Sequence, residues 1–228
     1  MAKRRTSGIQ RRERASSDAM SRRLNESRGG GLPDWRLLAI GALLVVGLLI
    51  VVLVLIFGGS SPNAGTRQPN SGSAHVPVGT SCRAAPQSHA NCGSTPYSSL
   101  PATSGPHWDP SGIANWGVYT TPQPETQLIH NLEHGGIVIW YDPERVDDAG
   151  VQALEDYVDR QTASGISGRY KFIVSPWADA EALPAPVVAT SWLYLLPLET
   201  ADTGAIDEFA RAHYGRSPEP NGGPGPPG

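Results

Sequence analysis

Six histidines stand at positions 75, 89, 107, 130, 134 and 213, and two of them share the run HNLEHGG over 130–136. Imidazole is the commonest metal ligand among side chains, and it also works as acid, base or hydrogen-bond donor. If 125–134 forms a short helix, His130 and His134 fall one turn apart on one face. Pro124 suits the first turn of such a helix and Gly135 its end. His130, Glu133 and His134 also fit the frame H-x-x-E-H, in which the glutamate would act as general base on zinc-bound water, the chemistry of a metal-dependent hydrolase. The setting for that enzyme is thin. The helix would be short, Gly135-Gly136 and an apolar run follow at once, and no clear downstream helix supplies a third ligand. A third imidazole is available upstream, at His107 in TSGPHW (103–108). Brought to the His130/His134 pair, with Glu133 beside them, it would complete a metal site. The same histidines have a plainer use, donating N–H groups to backbone carbonyls and so pinning a loop. Residue types alone leave both readings open, and the sequence leans toward a binding domain rather than an enzyme.

Ligand chemistry narrows the metal. The methionines are Met1 and Met20, and the cysteines are Cys82 and Cys92. With His89 between them the cysteines spell C-x6-H-x2-C, an incomplete metal pattern, and a Cys82–Cys92 disulfide is the better expectation for two cysteines sharing an oxidising compartment. A bridged pair leaves no soft ligand outside the first 36 residues, so imidazoles with Glu133 suit Zn(II) or Cu(II) better than Cu(I). Asp109 and Asp142 stand near enough in sequence to accept imidazole N–H groups.

These residues need a scaffold. Residues 93–127 are rich in Pro, Gly, Ser and Thr and read as a long irregular arm. A structureless segment of that length in a compact domain must be tied down by something. IVIWY (137–141), bounded by Gly135-Gly136 and Asp142-Pro143, is a buried strand. Asp147 or Asp148 opens a helix with Val151, Leu154 and Val158 on one face, ending at Ser164-Gly165. YKFIV (170–174) is a second strand, and VVATSWLYLL (187–196) a third. A last helix starts at Asp202 or Thr203 and turns Ile206, Phe209 and Ala210 inward. The order β-α-β-β-α predicts an α+β or α/β fold, a small sheet with helices packed on it.

Charge is divided unevenly along the chain. Residues 1–36 carry a net of +6 and residues 58–228 a net of −9, with no charge from Leu37 to Phe57. The uncharged stretch, LLAIGALLVVGLLIVVLVLIF, would be about 31 Å long as a helix, matching a hydrocarbon core of about 30 Å. It predicts an uncleaved single-pass anchor into the lipid bilayer. The excess of Lys and Arg before it predicts a cytoplasmic N-terminus and an extracytoplasmic C-terminal domain. The basic tail 1–36 reads as disordered, with contact to acidic lipids open to it. No aromatic residue is interleaved with its charges before Trp35, so nucleic acid is not an expected partner. Residues 58–74 read as a flexible linker, 75–215 as the folded domain, and the Pro/Gly-rich 216–228 as an unfolded tail. No G-x-S-x-G, G-x-x-x-x-G-K-[ST] or G-x-G-x-x-G motif occurs.

PATSGPH (101–107), NWGVY (115–119), LIHNLEHGGIVIWY (128–141) and LPAPVVATSW (183–192) together resemble the bacterial family called domain of unknown function 3105. The resemblance covers roughly 75–215 with the motifs in the family's order. It implies a membrane-anchored or exported protein with this domain outside. It also places His107, His130, Glu133 and His134 in signature motifs without assigning their task. Three functions follow as expectations: a metal-binding envelope domain, a structural or interaction module using the same histidines as internal fixtures, and a metal-dependent hydrolase.

Overall fold

A computed structural model describes residues 39–49, 63–94, 97–163, 169–179 and 181–226. The chain divides into two compact units, Met1–Gly59 and Ser60–Gly228. In the first unit residues 39–49 are helical and exposed. Eleven residues rise only about 16 Å, roughly half a hydrocarbon core. Among the described residues no helix is long and apolar enough to cross a membrane. The expectation of a transmembrane helix at Leu37–Phe57, and with it the single-pass placement, is therefore corrected. Residues 37, 38 and 50–57 of that stretch lie outside the described residues, as does the basic tail 1–36.

The second unit is α+β. Strands β5 (Ile137–Tyr141), β6 (Phe172–Pro176), β7 (Val187–Ser191) and β8 (Tyr194–Leu198) form the body of a mixed sheet. Two-residue strands β1 (Thr66–Arg67) and β4 (Gly117–Val118) close its edges in the order β1-β8-β7-β5-β6-β4. A separate pair joins β2 (His75–Val76) to β3 (His107–Trp108) in parallel. The helices are α1 (Glu125–Glu133), α2 (Asp148–Thr162) and α3 (Thr203–His213).

Strand alternation sorts the sheet into two faces. Ile137, Ile139, Phe172, Val174, Val187 and Ala189 pack with Leu154 and Val158 of α2 and Ile206 and Phe209 of α3. Val138, Trp140, Ile173 and Val188 point the other way, against Leu128, Ile129 and Leu132 of α1 and against Trp116, Trp177 and Trp192. Both faces are buried, which is why the strands read as continuous apolar runs rather than alternating ones. The β5–α2–β6 unit is a crossover between parallel neighbours, paired from Ile137↔Phe172 onward.

Two expectations shift. VVATSWLYLL is not one strand but the hairpin β7–β8, with Ser191 opposite Tyr194. Its turn carries no Gly, Asn or Asp signal. Leu193 takes the left-handed φ of 64° itself. The arm compensates: Leu193 N–H donates to the Thr103 carbonyl at 3.0 Å, and Gln68 N–H to the Leu193 carbonyl at 2.8 Å. The second strand begins at Phe172 rather than Tyr170, because the Tyr214 hydroxyl accepts from the N–H groups of Tyr170 (3.0 Å) and Lys171 (3.2 Å).

The segments read as tail and linker also make defined contacts. Arg67 pairs with Tyr194 in β8. Lys171 Nζ donates to the carbonyls of His134 (2.9 Å), Pro220 (2.8 Å) and Gly222 (3.0 Å). Trp116 Nε1 donates to the Pro224 carbonyl at 2.9 Å. The segment 216–228, read from composition as an unfolded tail, is held against the domain by these bonds over its described residues.

Candidate metal centre

The nine residues of α1 are buried except Gln127. Such a helix cannot be read as amphipathic, and its polar side chains must find partners inside. They do. Asn131 clamps one backbone position of the arm, accepting from Ala114 N–H at 3.3 Å and donating to Ala114 O at 2.9 Å. Glu125 accepts from Arg83 Nε (2.7 Å), Arg83 Nη2 (3.0 Å) and Ala102 N–H (2.6 Å). The helix stops at the glycine pair because nothing larger fits. Gly135 has a φ of 81°, and a Cβ on Gly136 would lie 2.4 Å from Trp116.

Three features of the fold bring the candidate donor atoms together. His130 and Glu133 are three apart on α1 and share a face. His75 and His107 are opposite one another in the β2–β3 register. The arm lays β3 across α1, so that all four meet. One ligand atom from each of His75, His107, His130 and Glu133 lies within 4.8 Å of every other. His107 Nε2 is 3.0 Å and His75 Nε2 4.0 Å from Glu133 Oε2. The rings of His107 and His130 are 4.8 Å apart, and those of His75 and His130 5.3 Å.

Tautomers follow from the partners. His107 Nδ1 is 2.8 Å from the Gly105 carbonyl and His130 Nδ1 2.6 Å from the Trp108 carbonyl. A carbonyl only accepts, so both Nδ1 atoms carry a proton, and in the neutral ring Nε2 is the nitrogen that presents a lone pair. The loop-pinning bonds expected of these histidines are thus present, and they use Nδ1 rather than Nε2. His107 Nε2 is buried and makes no directed hydrogen bond, although a carboxylate oxygen stands 3.0 Å away. Facing a carboxylate at that distance, Nε2 calls for a positive charge between the two atoms, a proton or a metal ion.

Burial and the neighbouring side chains set the charge states. Burial, then the neighbouring His107, lowers the His130 pKa from 6.5 to about 4, against the raising effect of the Trp108 carbonyl. His130 is therefore neutral near pH 7. Burial pushes the Glu133 carboxyl up, but His107, His130 and His75 hold it below its ordinary value, as a carboxylate.

Of the residues singled out from sequence, His107, His130 and Glu133 are brought together. His134 is not in the cluster. Its ring stacks on His130 at 4.9 Å, but its Nδ1 donates to the Glu219 carbonyl at 3.0 Å, beneath a Gly222 whose Cβ would lie 2.2 Å from the ring. Sequence reasoning missed His75, which stands at the junction of the segment read as a linker. No local signal marked it, because its strand is a two-residue run, too short to show a period. Asp109 and Asp142 serve their own turns, accepting from Ser111 N–H and Glu144 N–H, both at 2.9 Å. Cys82 and Cys92 are disulfide-bonded.

A family model described as a protein of unknown function (DUF3105) matches residues 89–224, more than half of the chain. The chain belongs to the DUF3105 family. The DUF3105 match takes in His107, His130, Glu133 and His134 and runs on through the docked tail, but it starts after His75 and Cys82. No curated protein and no solved structure matches the chain. DUF3105 membership thus supplies a grouping without an activity.

Proposed function

We propose that this domain binds one divalent transition-metal ion, Zn(II) or Cu(II), through Nε2 of His75, His107 and His130 and a carboxylate oxygen of Glu133. The observation that carries the reading is the buried Nε2 of His107, without a hydrogen bond and facing the Glu133 carboxylate at 3.0 Å. Carbonyls on the far side of the imidazole orient metal-binding histidines in the same way. Imidazole and carboxylate donors suit these two ions. Tetrahedral zinc with bonds of about 2.0–2.1 Å places its donors roughly 3–4 Å apart. The cluster reaches 4.8 Å, so binding draws it in by about an ångström. His75 is the ligand free to move, its side chain being 46% exposed.

The arrangement favours holding a metal over hydrolysis by an inverted-zincin mechanism. That mechanism needs His130 and His134 as ligands and Glu133 as a base. Here Glu133 stands among the donor atoms and His134 faces the tail.

The test is metal analysis and calorimetric titration of the purified chain with Zn(II) and with Cu(II). The expected result is one ion per chain, lost in His107→Ala and in Glu133→Gln and retained in His134→Gln. Equal binding by wild type and His107→Ala removes the proposal and leaves the histidines as hydrogen-bond fixtures.

A further inference from the structure

Three of the four proposed ligands are held by the body of the domain. His107 and His130 are locked through their Nδ1 atoms, and Glu133 is in a buried helix. His75 is different. Its side chain is half-exposed, and its position depends on its backbone. That backbone has two supports. One is the β2–β3 ladder, where His107 N–H donates to Ala74 O at 3.0 Å and Asp109 N–H to Val76 O at 2.9 Å. The other is the disulfide loop. Asn91 Nδ2 donates to the His75 carbonyl at 3.0 Å, and Val76 is buried against Cys82 and Cys92.

The disulfide loop is in turn fastened to the helix that carries the other ligands. Cys82 N–H donates to Thr126 Oγ1 at 3.3 Å, and Arg83 forks onto Glu125. Thr126 and Glu125 begin α1, and His130 and Glu133 lie toward its end. A closed circuit results: from α1 through Arg83 and Cys82, across the disulfide to Cys92 and Asn91, to His75, and through the donor cluster back to α1.

On the reading of a metal site given above, we infer that the Cys82–Cys92 loop positions the fourth ligand, with Asn91 as the positioning residue that fixes His75 over His107, His130 and Glu133. The loop touches no donor atom and acts through His75. Without it the chain keeps a three-donor site formed by His107, His130 and Glu133, and His75 becomes one of many orientations of an exposed segment.

The experiment uses the full chain with Zn(II) for affinity, by competition with a chromophoric chelator, and Co(II) for its visible spectrum. The variants are Asn91→Ala, the double variant Cys82→Ser/Cys92→Ser, His75→Ala, and each of the first two combined with His75→Ala. Serine replaces cysteine so that no free thiolate becomes a new ligand. Asn91→Ala and the cysteine variant are each expected to weaken Zn(II) binding roughly 10–100-fold and to shift the Co(II) spectrum toward that of His75→Ala. In the His75→Ala background neither should weaken binding further, the non-additivity that marks action through one residue. Losses that add to that of His75→Ala overturn the inference, because they signal general destabilisation. Wild-type affinity in Asn91→Ala overturns it as well, and that variant decides the matter alone if the cysteine variant does not fold. Full affinity in His75→Ala overturns it while leaving a metal site at the other three residues. Absence of binding by wild type removes this inference and the proposed function together.

Discussion

The two faces of the sheet are lined by the same strands, one residue out of phase, and they are held in different ways. Behind Ile137, Ile139, Phe172 and Val174 lie two regular helices, and the contacts are aliphatic and aromatic. In front of Val138, Trp140 and Ile173 lie one short helix and an irregular arm, and buried among the apolar groups there are Thr103, Ser104, His107, Glu125, Asn131 and Glu133. A helix satisfies its own backbone and offers a hydrophobic stripe, so non-directional burial closes the rear face. The arm has no ladder of its own for most of its length. Its order comes from directed contacts to buried polar side chains, each costly to leave unmade. Directed contacts also hold donor atoms in fixed geometry. The face that is harder to close is the one on which a site can be built.

One residue on each side separates the two faces most strongly. Glu125→Ala leaves the Arg83 guanidinium, its side chain only 17% exposed, without its bidentate partner and frees the Ala102 N–H. Stripping one member from such a pair costs about 3–5 kcal/mol. Phe209→Ala on the rear face empties a fully buried site and costs about 3–5 kcal/mol by cavity formation. Chemical denaturation should show losses of the same order for the two. Zinc titration of the folded fraction should separate them, since Glu125→Ala weakens the metal site and Phe209→Ala leaves its affinity as it was. Equal effects on zinc would mean that the faces are not independent.

Metal addition should stabilise the front face specifically. An ion bound only by the native state adds about 2.7 kcal/mol at a free concentration 100 times its Kd. Wild type is expected to gain that increment in its unfolding free energy and to lose it on adding a chelator. Glu133→Gln should show no gain. A gain in Glu133→Gln equal to that of wild type would place the bound ion elsewhere.

Acid should act on the same face once metal is removed. The His130 pKa is lowered from 6.5 to about 4 by burial and by His107. A base with a depressed folded-state pKa binds protons more readily when unfolded, so its stability contribution is complete above pH 6.5 and is lost as pH falls toward 4. Denaturation midpoints measured with chelator present should decline across that window in wild type. The decline should be shallower in His130→Gln, and an unchanged slope would discount His130 as its source.

Much of the rear face was legible in the sequence because its signals are local. The Asp147 start, the Val151-Leu154-Val158 spacing and the Ile206-Phe209-Ala210 face each fall within one helix. The front face was legible only where spacing stood in for contact, as with His130 and Glu133. The His75–His107 pairing joins residues 32 apart through a two-residue ladder, and no periodicity is that short. The β7–β8 hairpin was hidden because its turn residue, Leu193, is held by Thr103 and Gln68 rather than by turn chemistry of its own. The docking of 216–226 depends on Lys171 and Trp116, whose roles no composition rule announces.

The two faces also differ in how their helices start. The rear helices are capped by side chains: Asp147 accepts from Gly150 N–H at 2.8 Å and Asp202 from Ala205 N–H at 3.0 Å. The front helix α1 begins at Pro124 with no side-chain cap, and its first residue Glu125 points instead to Arg83 and Ala102. Asp147→Ala therefore removes a purely local contact on an exposed helix end, for a loss of about 1 kcal/mol. It should lower the denaturation midpoint slightly and leave the zinc affinity of the folded chain within about twofold, less than 0.5 kcal/mol. The cap stands at the far end of a helix that packs only on the rear face, so any larger change in zinc affinity must travel through the sheet. Such a change would show that β5, whose residues alternate between the two cores, transmits strain from one to the other, and the division of labour between the faces would have to be abandoned.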